Sequence, residues 1–238
     1  MSSLTSLNLE LYEVQSKRWP ASGRHIMAQY DESTITVYQA FKPSIAHYAV
    51  ENQKFGGPSF SWFLFLIHLI RLHFTFISIN AMTWIKPNFA WMMYRSGWAT
   101  KKDQERILAI KITLQGFQTI LSNAVASTYG QVRNIFASEE EWNIALKTSD
   151  IRLQWDPDHG LVGEKLNRRA IQLGIRGKFL EQYSNEWIQS IEDITEFVKE
   201  QHKLVVEKKF DQVMTPFEMV YNVPKELSER IGLEIVNE

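Results

Sequence analysis

Read as a pattern of apolar and polar positions, the chain divides into strand-like and helix-like stretches in irregular alternation. Thr34–Phe41 (TITVYQAF) is dominated by β-branched and aromatic residues and predicts a strand. Pro43 follows where a first helical turn accepts proline, with Ile45, Tyr48 and Ala49 at helical spacing behind it and Gly56-Gly57-Pro58 to close the helix. Arg106–Thr113 (RILAIKIT) alternates as a strand. Gly116–Ala126 and Ser138–Lys147 read as helices, the second opened by a capping box between Ser138 and Glu141. Further strands are expected at Arg24–Tyr30, Ile151–Trp155, Arg169–Ile175 and Ile188–Ile191, the second ended by an Asp156-Pro157-Asp158 turn. Phe179–Trp187 and Ile194–Lys209 predict helices, and the tail one strand-like VYNV and a short helix. Residues 1–23 are expected to lie across the surface. Without repeats, low-complexity runs or a convincing linker, the elements predict a single α+β domain over residues 1–238.

Two stretches break this pattern. Trp62–Ile79 (WFLFLIHLIRLHFTFISI) has the length of a membrane span, but His68, Arg71 and His73 sit inside it. A central arginine costs roughly 2.5–3.5 kcal/mol on insertion, and no flanking positive cluster orients the run, so no membrane association is expected. Met82–Trp98 (MTWIKPNFAWMMYRSGW) holds three of the eight tryptophans together with Lys86 and Arg95. Large rings with a few cations suit a pocket wall, and a buried helix closed by a Gly97 turn fits as well.

Composition narrows the chemistry. Lys plus Arg number 26 against 27 Asp plus Glu, so no global field draws in nucleic acid or anionic membrane. The absence of cysteine excludes disulfides, thiolate nucleophiles and zinc–thiolate sites and fits a reducing compartment; with no secretory signal, a cytoplasmic protein is expected. No glycine-rich phosphate loop or nucleophile elbow occurs. The six histidines form no metal-binding pair, so no metal site is expected; His159, after Asp156-Pro157-Asp158, reads as part of a solvated turn that could also ligate a cation.

TITVYQAF, MTWIKPNFAWMMYRSGW, IRLQWDPDH and RRAIQLGIRG, in that order, closely resemble the family catalogued as domain of unknown function 4291, from about Arg24 to Gly232. In that family a short polar segment containing an arginine joins the Gly-Gly-Pro turn to Met-Thr-Trp. Here the apolar residues 62–80 intervene, an insertion that reads as a retained intron; the product would then be inactive.

A second resemblance, in layout, is to ADP-ribosyltransferases, and it implies a split β-sheet core with flanking helices. Tyr38-Gln39-Ala40 would take the place of their first motif, Thr83 that of the second, and Ala170-Ile171-Gln172 that of the glutamate-bearing strand. The first two positions hold NAD in those enzymes and the glutamate stabilises the ribose cation. The resemblance therefore implies NAD as co-substrate, with Gln39, Thr83 and Gln172 at the catalytic positions and a nucleic acid or protein as acceptor. Gln172 can hydrogen-bond ribose hydroxyls but supplies no negative charge. Lys86, Arg95, Arg169 and Arg176 are cations suited to a pyrophosphate. Trp84 and Trp155 offer stacking surfaces beside Tyr38. The alternative is a non-catalytic module that binds a nucleotide or single-stranded nucleic acid in the same tryptophan–arginine pocket.

Overall fold

The computed structural model describes residues 7–56, 82–133 and 135–233. In chain order the elements are β1 (Leu9–Leu11), α1 (Tyr12–Gln15), β2 (Gly23–Arg24), β3 (Met27–Ala28), β4 (Thr34–Phe41), α2 (Pro43–Asn52), β5 (Thr83–Ile85), α3 (Phe89–Ser96), β6 (Arg106–Thr113) and α4 (Leu114–Asn123). There follow β7 (Val125–Ala126), α5 (Glu139–Thr148), β8 (Ile151–His159), β9 (Lys165–Ile175), α6 (Gly177–Gln182), β10 (Ile188–Asp193), α7 (Thr195–Val206), β11 (Met214–Pro216), β12 (Met219–Val220) and α8 (Lys225–Ile231). The apolar run 62–80, with the membrane, insertion and retained-intron readings attached to it, lies outside the described residues. Among the described residues no helix is long and apolar enough to cross a membrane.

The fold is α+β and is built on two sheets. In the first, β4 lies antiparallel to β6 from Thr34 opposite Thr113 to Phe41 opposite Arg106, and β10 covers the other edge of β6. This sheet is buried on both faces. Ile35 and Val37 of β4, with Leu108 and Ile110 of β6, enter the main core, which also holds Ile171, Leu173 and Ile175 of β9. Tyr38 and Ala109 face the opposite way, into a second core with Phe89 and Met93 of α3 and Phe197 and Val198 of α7. A strand covered on both sides does not alternate apolar with polar, which is why TITVYQAF reads as one continuous β-prone run.

The second sheet runs β2-β9-β8-β7, with β5 on the same edge of β9 as β2. The backbones of Tyr38 and Lys86 exchange two hydrogen bonds, N–H to carbonyl, at 2.7 and 3.2 Å. β5 pairs with β9 through Thr83, Trp84 and Ile85, so the bridge one residue later joins the first sheet to the second.

Several expectations need correction. Residues 9–11 do not merely drape the surface: they pair with Met214–Pro216, and Gln15 is fully buried, donating to Thr215 Oγ1 over 2.7 Å. β8 runs straight through Asp156-Pro157-Asp158 to His159, because its partner β9 begins at Lys165, four residues before the expected start. The strand expected at 24–30 is two short pieces, β2 and β3. α4 stops at Asn123, and Val125–Ala126 leave it to pair with β8. α2 ends before Gly56: Gln53 takes the left-handed conformation after Asn52 and closes it. The capping box is present on one arm only, Ser138 Oγ accepting from Glu141 N–H while the Glu141 carboxylate accepts from Ala137 N–H.

Candidate functional site

A cleft of about 580 Å³ opens where the two sheets meet, within the usual range for small-molecule sites. Its floor is the polar face of β8 and β9. Ile151, Leu153 and Trp155 of β8 point into the main core, so Gln154 and Asp156 point the other way. Gln154 stands opposite Gln172 in register, and the Gln172 amide donates to Gln154 Oε1 at 3.2 Å and to Asp156 Oδ2 at 2.6 Å. Burial raises the Asp156 carboxyl above the ordinary range, against the Gln172 hydrogen bond and the Lys86 charge, which lower it.

The first wall comes from β5 and the end of β4. Trp84 lies against Gly174, where a Cβ would meet Met82 Cγ at 2.8 Å and Trp84 Cε2 at 3.1 Å. Glycine therefore lets Met82 pack directly on the strand and the indole rest close beside it. Gln39, 2 % exposed, donates to Thr83 Oγ1 at 2.7 Å and to the Trp84 carbonyl at 3.3 Å, and accepts from the Tyr183 hydroxyl at 2.9 Å. Its amide is fully engaged by the protein, so it fixes Thr83 and Trp84 rather than waiting for a ligand.

The second wall is α3, and its placement has an identifiable cause. Asn88 caps the helix by accepting from Trp91 N–H at 2.6 Å. The buried Glu218 carboxylate accepts from Phe89 N–H at 2.6 Å and from the Asn88 amide at 3.1 Å. Burial lifts Glu218 to about 8 despite the Phe89 N–H. Gly97, left-handed at φ 59°, ends the helix. Met92 and Arg95, one turn apart, face the cleft, and Gln104 completes its rim. Arg95 is exposed and makes no ion pair among the described residues.

Lys86 also lines the cleft. It is 4 % exposed, and its amine donates one long hydrogen bond, 3.4 Å, to the Trp84 carbonyl. Burial, reinforced by the Arg95 charge and opposed by Asp156, brings it down to about 7.

Of the residues singled out in the sequence, Gln39, Thr83, Trp84, Lys86, Arg95 and Gln172 meet around this cleft. Four others lie elsewhere. Tyr38 neighbours Gln39 but, by strand alternation, points into the second core edge-on to Phe89, its ring centroid 5.6 Å away. Trp155 is buried on the core face of β8, donating to the Ile231 carbonyl at 2.8 Å, and offers no open face. Arg176 pairs with Asp150 at 3.4 Å and donates to the Lys147 and Ser149 carbonyls, tying the end of β9 to the end of α5 and the connection that follows it. Arg169 is exposed on β9, outside the cleft lining, although its charge acts on Asp156. His159 is not a solvated turn residue: it is 3 % exposed and stacks on Tyr94 with ring centroids 3.5 Å apart. No group of His, Asp or Glu among the described residues could hold a metal ion. Gln154, Asp156, Met92 and Gln104 were not anticipated. Asp156 follows once β8 is read as alternating through residue 156, and Gln154 once alternation puts it on the face opposite Leu153 and Trp155.

The family model described as Domain of unknown function (DUF4291) matches residues 25–63 and 68–226, which include every described residue of the cleft. The chain belongs to this family. No curated protein matches it. The name DUF4291 carries no activity, so the site has to be read from its own chemistry.

Proposed function

We propose that the DUF4291 cleft is a nucleotide site, with NAD as its ligand, and that the protein is ADP-ribosyltransferase-like. One observation carries this reading: an indole, a guanidinium with no ion pair among the described residues and an array of side-chain amides line one cleft of about 580 Å³. Trp84 offers a face for nicotinamide or adenine, and Arg95 at the mouth suits a pyrophosphate. Gln154 and Gln172 supply donors and acceptors for ribose hydroxyls. Asp156, hydrogen-bonded to Gln172, supports the catalytic part, since it provides beside that amide the negative charge that glutamine itself lacks. A nucleic acid or protein acceptor would approach from the open side.

Isothermal titration with NAD tests the reading. Binding is expected, weakened about tenfold or more by Arg95→Ala and by Trp84→Ala. No heat from well-folded protein would remove it. The neutral Gln154–Gln172 pair favours a second reading, a binding module for single-stranded nucleic acid. Oligonucleotide binding that falls steeply with salt, without consumption of NAD, would select that one.

A further inference from the structure

We propose that Lys86 is a reactive amine that forms an imine with an anionic aldehyde or ketone held in the cleft. The inference does not depend on nucleotide binding; it starts from a lysine that the fold has no structural use for. The main chain of Lys86 carries the bridge to Tyr38, and a side chain of any kind would allow that. The amine itself makes one 3.4 Å hydrogen bond and no ion pair among the described residues. A buried lysine held only for packing costs more than a methionine of similar reach, because its charge loses water without gaining a partner.

What the surroundings select is the neutral form. Burial comes first and the Arg95 guanidinium second, with Asp156 opposing, so that the amine loses its proton near neutral pH. A neutral amine in a cleft is a nucleophile toward a carbonyl carbon. Its backbone N–H and carbonyl are both hydrogen-bonded to Tyr38, directly after β5, so Nζ is presented from a fixed main chain. Arg95, across the cleft and without an ion-pair partner among the described residues, would hold a phosphate or carboxylate on the same ligand.

The reaction balances without a further reagent. The Nζ lone pair bonds to the carbonyl carbon while the C=O π pair moves to oxygen. A proton passes from nitrogen to that oxygen, giving a carbinolamine. The hydroxyl, protonated once more, leaves as water as the nitrogen lone pair forms the C=N bond. Asp156, whose charge acts on Lys86, is placed to relay that second proton from solvent and to take one back when water adds.

The experiment uses the full chain and pyridoxal 5′-phosphate, an aldehyde with a phosphate, followed by borohydride reduction and peptide mass spectrometry. At pH 7 one adduct per chain is expected, on Lys86, formed roughly tenfold or more faster than on any other lysine. Pyridoxal without the phosphate should label Lys86 roughly tenfold more slowly, and Arg95→Gln should remove that preference. Raising the pH from 6 to 8 should speed labelling of Lys86 before that of the exposed lysines. The proposal is overturned by adducts spread over exposed lysines, or by a wild-type peptide map with Lys86 unmodified. It is also overturned if Lys86→Met, shown to be folded by its melting curve, keeps the same rate and stoichiometry.

Discussion

The Gln39 amide donates to Thr83 Oγ1 over 2.7 Å, so strands that belong to different sheets are locked by side chains close to where their backbones meet, one residue past Tyr38 and three before Lys86. Because the Tyr183 hydroxyl donates to the same glutamine, three groups lose a partner if it is removed: the Thr83 hydroxyl, the Trp84 carbonyl and the Tyr183 hydroxyl. Gln39→Leu is expected to lower the unfolding free energy by about 2–4 kcal/mol, measured by urea denaturation, because buried polar groups are left unpaired. NAD affinity in that variant should fall through displacement of Thr83 and Trp84. Gln39→Glu should be intermediate, restoring the acceptor for Tyr183 but not the donor for Thr83.

Two buried groups give stability opposite pH slopes. Lys86 holds its proton to 10.5 in the unfolded chain and to about 7 in the folded one. The folded state binds fewer protons between those values, so stability rises as pH climbs from 7 to 10.5. Glu218 keeps its proton to about 8 when folded against 4.5 when unfolded. Its contribution is complete below pH 4.5 and is lost as pH rises toward 8. Melting temperatures should therefore pass through a shallow minimum between pH 7 and 8. Lys86→Met should remove the alkaline slope and stabilise the protein at pH 6, by roughly 3–5 kcal/mol if the full shift is recovered. A melting temperature that falls steadily from pH 7 to 10 would contradict the Lys86 assignment.

Gly174→Ala tests how Trp84 is seated. The new methyl would meet Met82 Cγ and Trp84 Cε2 at 2.8 and 3.1 Å, so the Met82 side chain must move and the indole must give by a few tenths of an ångström. Destabilisation of about 1–3 kcal/mol is expected from overpacking. Trp84 fluorescence should shift as the ring moves, and ligand affinity should drop with it. Unchanged binding by this variant would mean that the indole is not part of the site.

Arg168 anchors the far end of β9. Its guanidinium reaches Asp158 at 2.6 and 2.8 Å, donates to the Pro20 carbonyl at 2.8 Å and lies 5.1 Å above the Trp19 ring. Asp158 is 1 % exposed. Arg168→Ala leaves that carboxylate buried and uncompensated, and about 3–5 kcal/mol should be lost at neutral pH. Arg168→Ala/Asp158→Ala should recover much of this, and a double-mutant cycle by chemical denaturation measures the coupling.

Much of the fold was legible because its longest strands are governed by local pattern. Thr34–Phe41 and Arg106–Thr113 were bounded correctly from the β-branched runs alone. The strand ends were less legible where a partner decides them: Asp156-Pro157-Asp158 has turn composition, yet pairing with β9 holds it extended. Trp84, Lys86 and Arg95 stand out in the sequence because large rings and cations crowd one short stretch, whereas Gln39, Thr83 and Gln172 are singled out only by the layout resemblance; all six line the same cleft. Asp156 lies beyond the expected end of its strand at Trp155, while β8 continues to His159; Gln154 lies within the expected strand, and only the pairing of β8 with β9 sets it opposite Gln172. Trp155 was misplaced for a different reason. A tryptophan's composition does not tell which face of its strand is solvated, and here the core took it.

The Tyr38–Lys86 backbone pair has a geometric consequence for recognition. Because the floor hangs on one sheet and part of the wall on the other, the gap between them acts as a gauge whose setting is a main-chain distance. A molecule seated in the cleft would therefore touch both sheets at once, and the Tyr38–Lys86 pair sets how far apart they stand.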